Sequence, residues 1–136
     1  MSTRSRIGIE LENGKVQSVY CHFDGYVDGV GKVLINHYTD IEKIRKMIFL
    51  GDMSSLAESV DCPEGHSYEN KKKGFSVFYG RDRGETGIDS VTHSEDIWPN
   101  YGQEYEYLFK GGQWLVRSNK PQFRPVTEVL KEESEK

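Results

Sequence analysis

The chain has 136 residues, with 18 Lys and Arg against 22 Asp and Glu, so its formal net charge is −4 with neutral histidine. This length suits one domain, and the acidic balance excludes a general nucleic-acid-binding protein, because such proteins gain most of their affinity by neutralising phosphates. No apolar stretch approaches the roughly 20 residues that span a bilayer, no apolar segment follows the basic N-terminus, and two cysteines make a poor disulfide framework. We therefore predict a soluble protein of the cytosol.

The N-terminal region is predicted to form a β-hairpin. From Arg6 to Leu11 polar and apolar residues alternate, and this period of two indicates a strand with one buried face, Arg6 lying on the polar one. Asn13-Gly14 then favours a tight turn, because both residues tolerate positive φ. The return strand covers 16–23 and places Cys21 on the apolar face as a small buried hydrophobic residue.

Two helices are predicted between this hairpin and the middle of the chain. Asp28 can cap a helix that continues to Tyr38, with apolar residues at four-residue steps on one face. Asp40 can cap a second helix, and Gly51 is positioned to end it. Both helices therefore present an apolar face to a sheet.

The second half of the chain is predicted to contain more strand than helix. A long polar loop covers 59–74, a strand follows at 75–79, and a second hairpin over 104–110 and 113–117 turns at Gly111-Gly112. Pro125 then introduces a short helix over 126–133, within an acidic C-terminal tail at 126–136. We predict a single α+β domain over 1–136, with an antiparallel sheet of about five strands and helices packed on one side.

The familiar signatures of catalysis, metal binding and phosphate loops are missing. The sequence from Gly29 to Lys32 lacks the glycine spacing and the hydroxyl residue of a phosphate loop, so its glycines are interpreted as easing a turn into a helix. Cys21 and Cys62 have no second pair of ligands at zinc spacing, and no serine lies in a nucleophile elbow. We predict no enzyme activity, no cofactor and no metal.

The segment Tyr79-Gly-Arg-Asp-Arg-Gly-Glu85 carries the clearest binding chemistry. It follows a predicted aromatic strand, so Arg81 and Arg83 would emerge at the strand end on a turn bounded by glycines. Guanidinium groups match phosphate geometry, and Tyr79 can stack on a base. The alternative is a solvated turn whose four charged residues pair among themselves.

The segment Tyr20-Cys-His-Phe-Asp-Gly-Tyr26 holds three aromatic residues, Tyr20, Phe23 and Tyr26, within seven positions. Its aromatic side chains surround one imidazole, His22, and one carboxylate, Asp24. We predict that His22, Asp24 and Tyr26 contact the sugar or the base of a ligand. The alternative is core packing, with Asp24 satisfying a buried turn.

Together these segments resemble a widespread set of small bacteriophage proteins. The resemblance covers about residues 3–56, with the 78–85 segment as a further block, and it rests on the following sequences: Thr3-Arg4-Ser5, Ile7-Gly-Ile9, Tyr20-Cys-His-Phe-Asp-Gly-Tyr26, Gly31, Leu34, Tyr38 and Gly51-Asp-Met-Ser-Ser-Leu56. The chain also resembles the phage Thoeris anti-defence sponges, which bind cyclic ADP-ribose isomers and withhold them from host immunity. It departs from them at 104–118, where a hairpin replaces helix, so no pocket residue is transferred from that family.

The resemblance implies a phage protein of the host cytoplasm that sequesters a cyclic ADP-ribose isomer or a cyclic oligonucleotide without catalysis. A small polar ligand bound at nanomolar affinity, about 12 kcal/mol, must be nearly enclosed, and a short chain encloses it most readily between subunits. We therefore expect a homo-oligomer, a dimer or a multiple of dimers. The alternatives are an inhibitor that binds a host protein directly, or a small nucleotide-processing enzyme.

Overall fold

A computed structural model describes residues 3–135. Met1, Ser2 and Lys136, which belong to the predicted basic N-terminus and acidic tail, lie outside the described residues. In chain order the elements are β1 (Ser5–Glu10), β2 (Val16–Cys21), a π-helical turn (Val27–Gly31), α1 (Lys32–His37), α2 (Ile41–Leu50), β3 (Met53–Ser55), β4 (Val77–Phe78), α3 (Tyr79–Arg83), β5 (Val91–His93), β6 (Tyr105–Lys110), β7 (Gln113–Arg117), β8 (Arg124–Pro125) and α4 (Val126–Ser134). No helix within 3–135 is both long and apolar enough to cross a membrane.

The strands form one mixed sheet in the order β4-β3-β2-β1-β6-β7-β8, with β5 pairing the first half of β2. Two pairs are parallel: β1 with β6 along most of their length, and β2 with β3 at Cys21 and Met53. The predicted α+β class is confirmed, whereas the antiparallel sheet of about five strands is corrected to a larger mixed sheet. The missed strands are only two or three residues long, too short to show a period of two.

Both predicted hairpins are present, with turns of different length. β1 and β2 are joined by a five-residue loop in which the Leu11 N–H donates to the Lys15 carbonyl at 2.8 Å and Gly14 has φ +82°. β6 and β7 are joined by two glycines, Gly111 at φ +61° and Gly112 at φ +79°. Positive φ at both positions is the type I′ geometry, whose twist matches the flanking strands.

Two of the predicted helices follow their signals, whereas the predicted Asp28 cap and the predicted strand over 75–79 are corrected. The Asp40 carboxylate accepts from the Glu42 N–H at 3.0 Å to cap α2, Gly51 ends that helix at φ +87°, and α4 begins directly after Pro125. Asp28, however, lies inside the π-helical turn and caps nothing. The predicted strand over 75–79 is only Val77–Phe78, because Tyr79 already begins α3.

The two faces of the sheet are covered differently. One face packs against α1, α2 and α4, and its buried residues include Cys21, as predicted. The opposite face carries a smaller cluster of Val16, Trp98 and Leu108, covered by the connection between β5 and β6. Arg6 lies on this second face and is fully buried there, because the connection covers a strand face that the alternation alone leaves to solvent.

Candidate functional site

The two predicted binding segments converge on β3. The His22 and Phe23 N–H groups donate to the carbonyls of Met53 and Ser54 at 3.1 and 3.0 Å. On the other side, β4 pairs with β3, and the Tyr79 N–H donates to the Asp52 carbonyl at 3.2 Å. The short β3 strand therefore joins the 20–26 segment to the 79–85 segment, which are far apart in sequence.

Asp52 links the two segments through its side chain as well. Its Oδ1 accepts from the Tyr20 N–H at 2.8 Å, next to the carbonyl contact with Tyr79. Burial raises the pKa of the Asp52 carboxyl, although the Tyr20 N–H and the nearby Arg6 oppose this effect. The residue fixes the end of β2 against the start of α3.

The convergence produces a partly exposed aromatic surface, which we call the tyrosine surface: Tyr20, His22, Tyr68, Tyr79 and Tyr101. The Tyr20 ring centroid lies 5.9 Å from that of His22 and 6.1 Å from that of Tyr101. Tyr68 and Tyr79 are 6.2 Å apart at an interplanar angle of 35°. Exposed aromatic faces of this kind can stack on nucleobases. Tyr68 was not predicted as a binding residue, because it lies inside a long polar loop without a local motif.

Arg83 brings a positive charge to the tyrosine surface. Its guanidinium carbon lies 4.5 Å from the Tyr68 ring centroid, and Lys71 Nζ lies 5.2 Å from the same centroid. Arg83 also pairs with Glu85 at 3.7 Å, but its side chain is 49% exposed, so the pair is weak and open to solvent. A phosphate beside Tyr68 could therefore accept hydrogen bonds from Arg83.

Arg81 has a different environment from Arg83. Its guanidinium donates to both oxygens of Asp82, at 2.9 and 3.1 Å, and to the carbonyls of Val60 and Ser76. These acceptors belong to the chain itself, which favours a structural role over the predicted phosphate contact. The ion pairs of Arg81 and Arg83 with their acidic neighbours match the alternative considered for this segment, although on a short helix rather than on a turn after a strand.

A buried histidine continues the Arg81 network into the long loop. The Lys72 N–H donates to His66 Nδ1 at 3.0 Å, and Nε2 donates to the Ser76 carbonyl at 3.1 Å, so the ring is the neutral Nε2–H tautomer. Asp82 lies 3.6 Å from Nε2. Burial opposes ionisation of Asp82, but hydrogen bonds from Arg81 and the Phe78 N–H outweigh it and lower the pKa of its carboxyl.

The predicted residues of the 20–26 segment divide into two places. The Tyr20 hydroxyl and His22 Nδ1 are hydrogen-bonded at 2.7 Å, which places His22 on the tyrosine surface. Asp24, at φ +58°, accepts from the Tyr26 hydroxyl at 3.4 Å, and both residues line a cavity of about 280 Å³ beside α1. Cys21 points into the core, where burial raises the pKa of its thiol to about 12.

Two larger cavities are less suited to an anionic ligand. One of about 620 Å³ lies between the first hairpin and α2, and its lining includes Glu10, Glu12 and Asp89. Another of about 500 Å³ lies between β7 and α4; Arg117 and Arg124 are paired with glutamates there, and the lining also includes Lys120 and Glu133. The tyrosine surface is therefore the stronger candidate for a phosphate-containing ligand.

Within 3–135, no group of three His, Cys, Asp or Glu side chains is arranged to hold a metal ion. Comparisons with protein-family models, with curated proteins and with solved structures gave no match to this chain. The functional assignment therefore depends on the geometry of the tyrosine surface.

Proposed function

We propose that this protein binds a nucleotide-derived signal on its tyrosine surface and sequesters it without catalysis, as a phage anti-defence protein of the host cytoplasm. The observation that carries the proposal is the cluster of Arg83, Tyr68 and Tyr79, an exposed guanidinium over one of two adjacent rings. Nucleotides combine a flat base with charged phosphate, and this cluster offers a complementary group for each.

Each side chain has a distinct role in this proposal. Arg83 donates to a phosphate, and Tyr79 stacks on the base together with Tyr68. His22 contacts a sugar hydroxyl from the neighbouring part of the surface. Asp24 and Tyr26 contact the ligand only where it extends to the cavity beside α1. Arg81 stabilises α3 through its hydrogen bonds to Asp82 and to the carbonyls of Val60 and Ser76.

Binding is favoured over catalysis by the surroundings of His22. Its Nδ1 is hydrogen-bonded to the Tyr20 hydroxyl and not to a carboxylate that would orient it as a general base. Sequestration requires no proton transfer, whereas it does require tight enclosure. The rival functions, a nucleotide-processing enzyme and an inhibitor of a host protein, remain outcomes of the experiment.

The direct experiment is to recover a bound ligand. Purified protein is incubated with cyclic ADP-ribose isomers and with cyclic di- and trinucleotides, washed, denatured by heat and analysed by mass spectrometry. An intact nucleotide in the supernatant is the expected result. A chemically altered nucleotide would instead indicate an enzyme, and an empty supernatant across the panel would contradict the proposal and favour a protein partner.

Arg83 and Arg81 should respond differently to substitution by alanine. Arg83→Ala should weaken binding of the recovered nucleotide by about 1.5–3 kcal/mol, because it removes charged hydrogen bonds. Calorimetric titration measures this loss, while the free energy of unfolding should change by less than about 0.5 kcal/mol. Arg45→Ala is the matched control, since Arg45 is likewise exposed and paired with a nearby glutamate, at 3.2 Å.

Arg81→Ala should show the opposite behaviour. It removes hydrogen bonds to Asp82 and to backbone carbonyls, so urea unfolding should report a loss of about 2–4 kcal/mol in stability. Nucleotide affinity of the fraction that remains folded should change much less than in Arg83→Ala. Equal affinities of Arg83→Ala and the unsubstituted protein would contradict the phosphate role of Arg83.

A further inference from the structure

Arg6 is a fully buried cation whose hydrogen bonding is incomplete. On the second face of the sheet, its Nε donates to Ser18 Oγ and its Nη2 to the Ser18 carbonyl, each at 3.0 Å. Its Nη1 is also buried and has no hydrogen-bond partner within residues 3–135. An unmet donor on a buried charge is costly, because the group has lost its water and gained no acceptor.

The neighbouring carboxylates do not supply this acceptor. Burial lowers the pKa of Arg6, and the charges of Asp52 and Glu106 only partly oppose that effect. The Glu106 carboxylate accepts from Arg117 Nε at 2.6 Å and from Gln103 at 3.0 Å. Asp52 accepts from the Tyr20 N–H. Both carboxylates are therefore engaged by other donors.

The remaining polar groups beneath Arg6 are satisfied among themselves. Ser18 Oγ lies 2.7 Å from His93 Nε2, and His93 Nδ1 donates to the Ser94 carbonyl at 2.7 Å. This pattern is consistent with a neutral imidazole that accepts the Ser18 hydroxyl proton. Within the described network, the Nη1 group of Arg6 is the donor that has no hydrogen-bond acceptor.

The ring of Tyr101 covers the guanidinium. The Arg6 Cζ atom lies 4.9 Å from its centroid, while the Tyr101 residue is 50% exposed. The ring is carried on a surface turn next to Gly102, whose φ is +80°. Arg4, two residues before Arg6 and just ahead of β1, reaches the Tyr101 carbonyl with Nη1 at 3.5 Å. The Arg6 guanidinium therefore lies against the Tyr101 ring, while the Arg4 guanidinium lies at the backbone carbonyl of the same residue.

We propose that Arg6 is the floor of a phosphate-binding site that Tyr101 covers in the unliganded protein. A phosphate group displaces the Tyr101 ring, accepts a hydrogen bond from Arg6 Nη1, and meets Arg4 at the rim. Two guanidinium groups suit a dianionic phosphate, since hydrogen bonds between ionised partners are the strong ones and Arg6 has its Nη1 group available while Arg4 adds a second positive charge. Tyr101 belongs to the tyrosine surface, so this site extends the surface that binds the nucleotide in the proposed function. The inference rests on that function, because the nucleotide is the source of the phosphate.

The test uses inorganic phosphate and pyrophosphate, titrated at constant ionic strength maintained with potassium chloride. Trp98 reports on the site, because it lies in the covering connection and its ring is 5.0 Å from that of His93. Tryptophan fluorescence and ³¹P line broadening should both show saturable binding. Arg6→Lys should bind about tenfold more weakly or worse, since lysine keeps the charge but loses the planar fork.

Tyr101→Ala provides a second variant that leaves Arg6 in place. It should bind phosphate about three- to tenfold more tightly, because no cover has to be displaced. Arg45→Lys, at an exposed pair on α2, is the control and should match the unsubstituted protein. If Arg6→Lys does not fold, the gain of phosphate affinity in Tyr101→Ala still tests whether Tyr101 covers a phosphate-binding site.

The outcomes separate this inference from the proposed function. Absence of phosphate binding in both the unsubstituted protein and Tyr101→Ala overturns the Arg6 site, as does equal affinity in a folded Arg6→Lys variant. Phosphate binding that depends on Arg6, together with an empty nucleotide panel, supports the site and overturns the sequestration function. Nucleotide recovery by a protein that shows no phosphate binding dependent on Arg6 supports sequestration and overturns the site.

Discussion

Three arginines show how much the surroundings of a residue decide its role. Arg81 is surrounded by internal acceptors, Arg83 is half exposed over an aromatic ring, and Arg6 is buried with one donor group unmet. All three carry the same charge and the same five N–H groups. Only Arg83 and Arg6 therefore keep the capacity to meet a phosphate.

His93 should make the stability of the folded protein depend on pH. Burial lowers the pKa of His93, and Arg6 acts in the same direction, although the hydrogen bond to the Ser94 carbonyl opposes them. The folded state thus favours neutral imidazole, and the stability this contributes is present above the unfolded pKa of about 6.5. That stability is lost as the pH falls from this value towards the folded pKa.

We expect His93→Gln to flatten this dependence. Urea unfolding at pH 7.5 and pH 5.5 should show a larger loss of stability in the unsubstituted protein than in the variant. His37→Gln, at an exposed position at the end of α1, is the matched control and should keep the original slope. A slope unchanged by His93→Gln would show that this imidazole does not titrate differently on folding.

At the scale of elements, the long loop is held from within. His66 is buried in it and bonds the Lys72 N–H and the Ser76 carbonyl, while Arg81 of α3 donates to the carbonyls of Val60 and Ser76. The loop and α3 thus stabilise each other. The position of Tyr68 on the tyrosine surface, and of Lys71 beside its ring, depends on this anchoring.

His66→Ala should release the loop while leaving the sheet folded. The Lys72 amide should lose protection from hydrogen exchange, trypsin should cleave faster at 71–73, and stability should fall by about 1–3 kcal/mol. His22→Ala is the control, because His22 bonds a partly exposed tyrosine outside this network. Unchanged protection of the Lys72 amide in His66→Ala would contradict the anchoring role.

At the scale of the whole molecule, the sheet separates a helix-covered face from a face closed by the connection that carries Trp98. The tyrosine surface extends from Tyr20 on β2 to Tyr79 at the start of α3 and is partly exposed to solvent. A small polar ligand held tightly there needs a second wall, since an open surface leaves its polar groups in water. A second copy of the chain can supply that wall.

We expect the protein to sediment as a dimer or a multiple of dimers, and the nucleotide recovered in the release experiment to strengthen the association by linkage. Arg83→Glu should weaken the ligand-induced association. Phe49 on α2 is 84% exposed, so Phe49→Asp tests whether the copies associate through this helix instead. A monomer at every concentration, with and without ligand, would contradict the expected oligomer.

Features that depend only on neighbouring residues follow from the local sequence. The glycine pair at Gly111-Gly112, the Asp40 cap, the end of α2 at Gly51 and the burial of Cys21 were all predictable, because each depends on backbone freedom or periodicity within a few positions. The pairing within each hairpin also followed from such signals. The α+β class therefore needed no knowledge of distant contacts.

The way in which these elements pack together depends on contacts between distant parts of the chain. The parallel pairing of β1 with β6 joins segments about a hundred residues apart, and no local pattern specifies that contact. The same holds for the burial of Arg6 under Tyr101 and for the hydrogen bond from Arg81 to the Val60 carbonyl, since each partner lies far along the chain. A charged side chain has a local pattern, but its exposure and its hydrogen bonds are properties of the assembled fold.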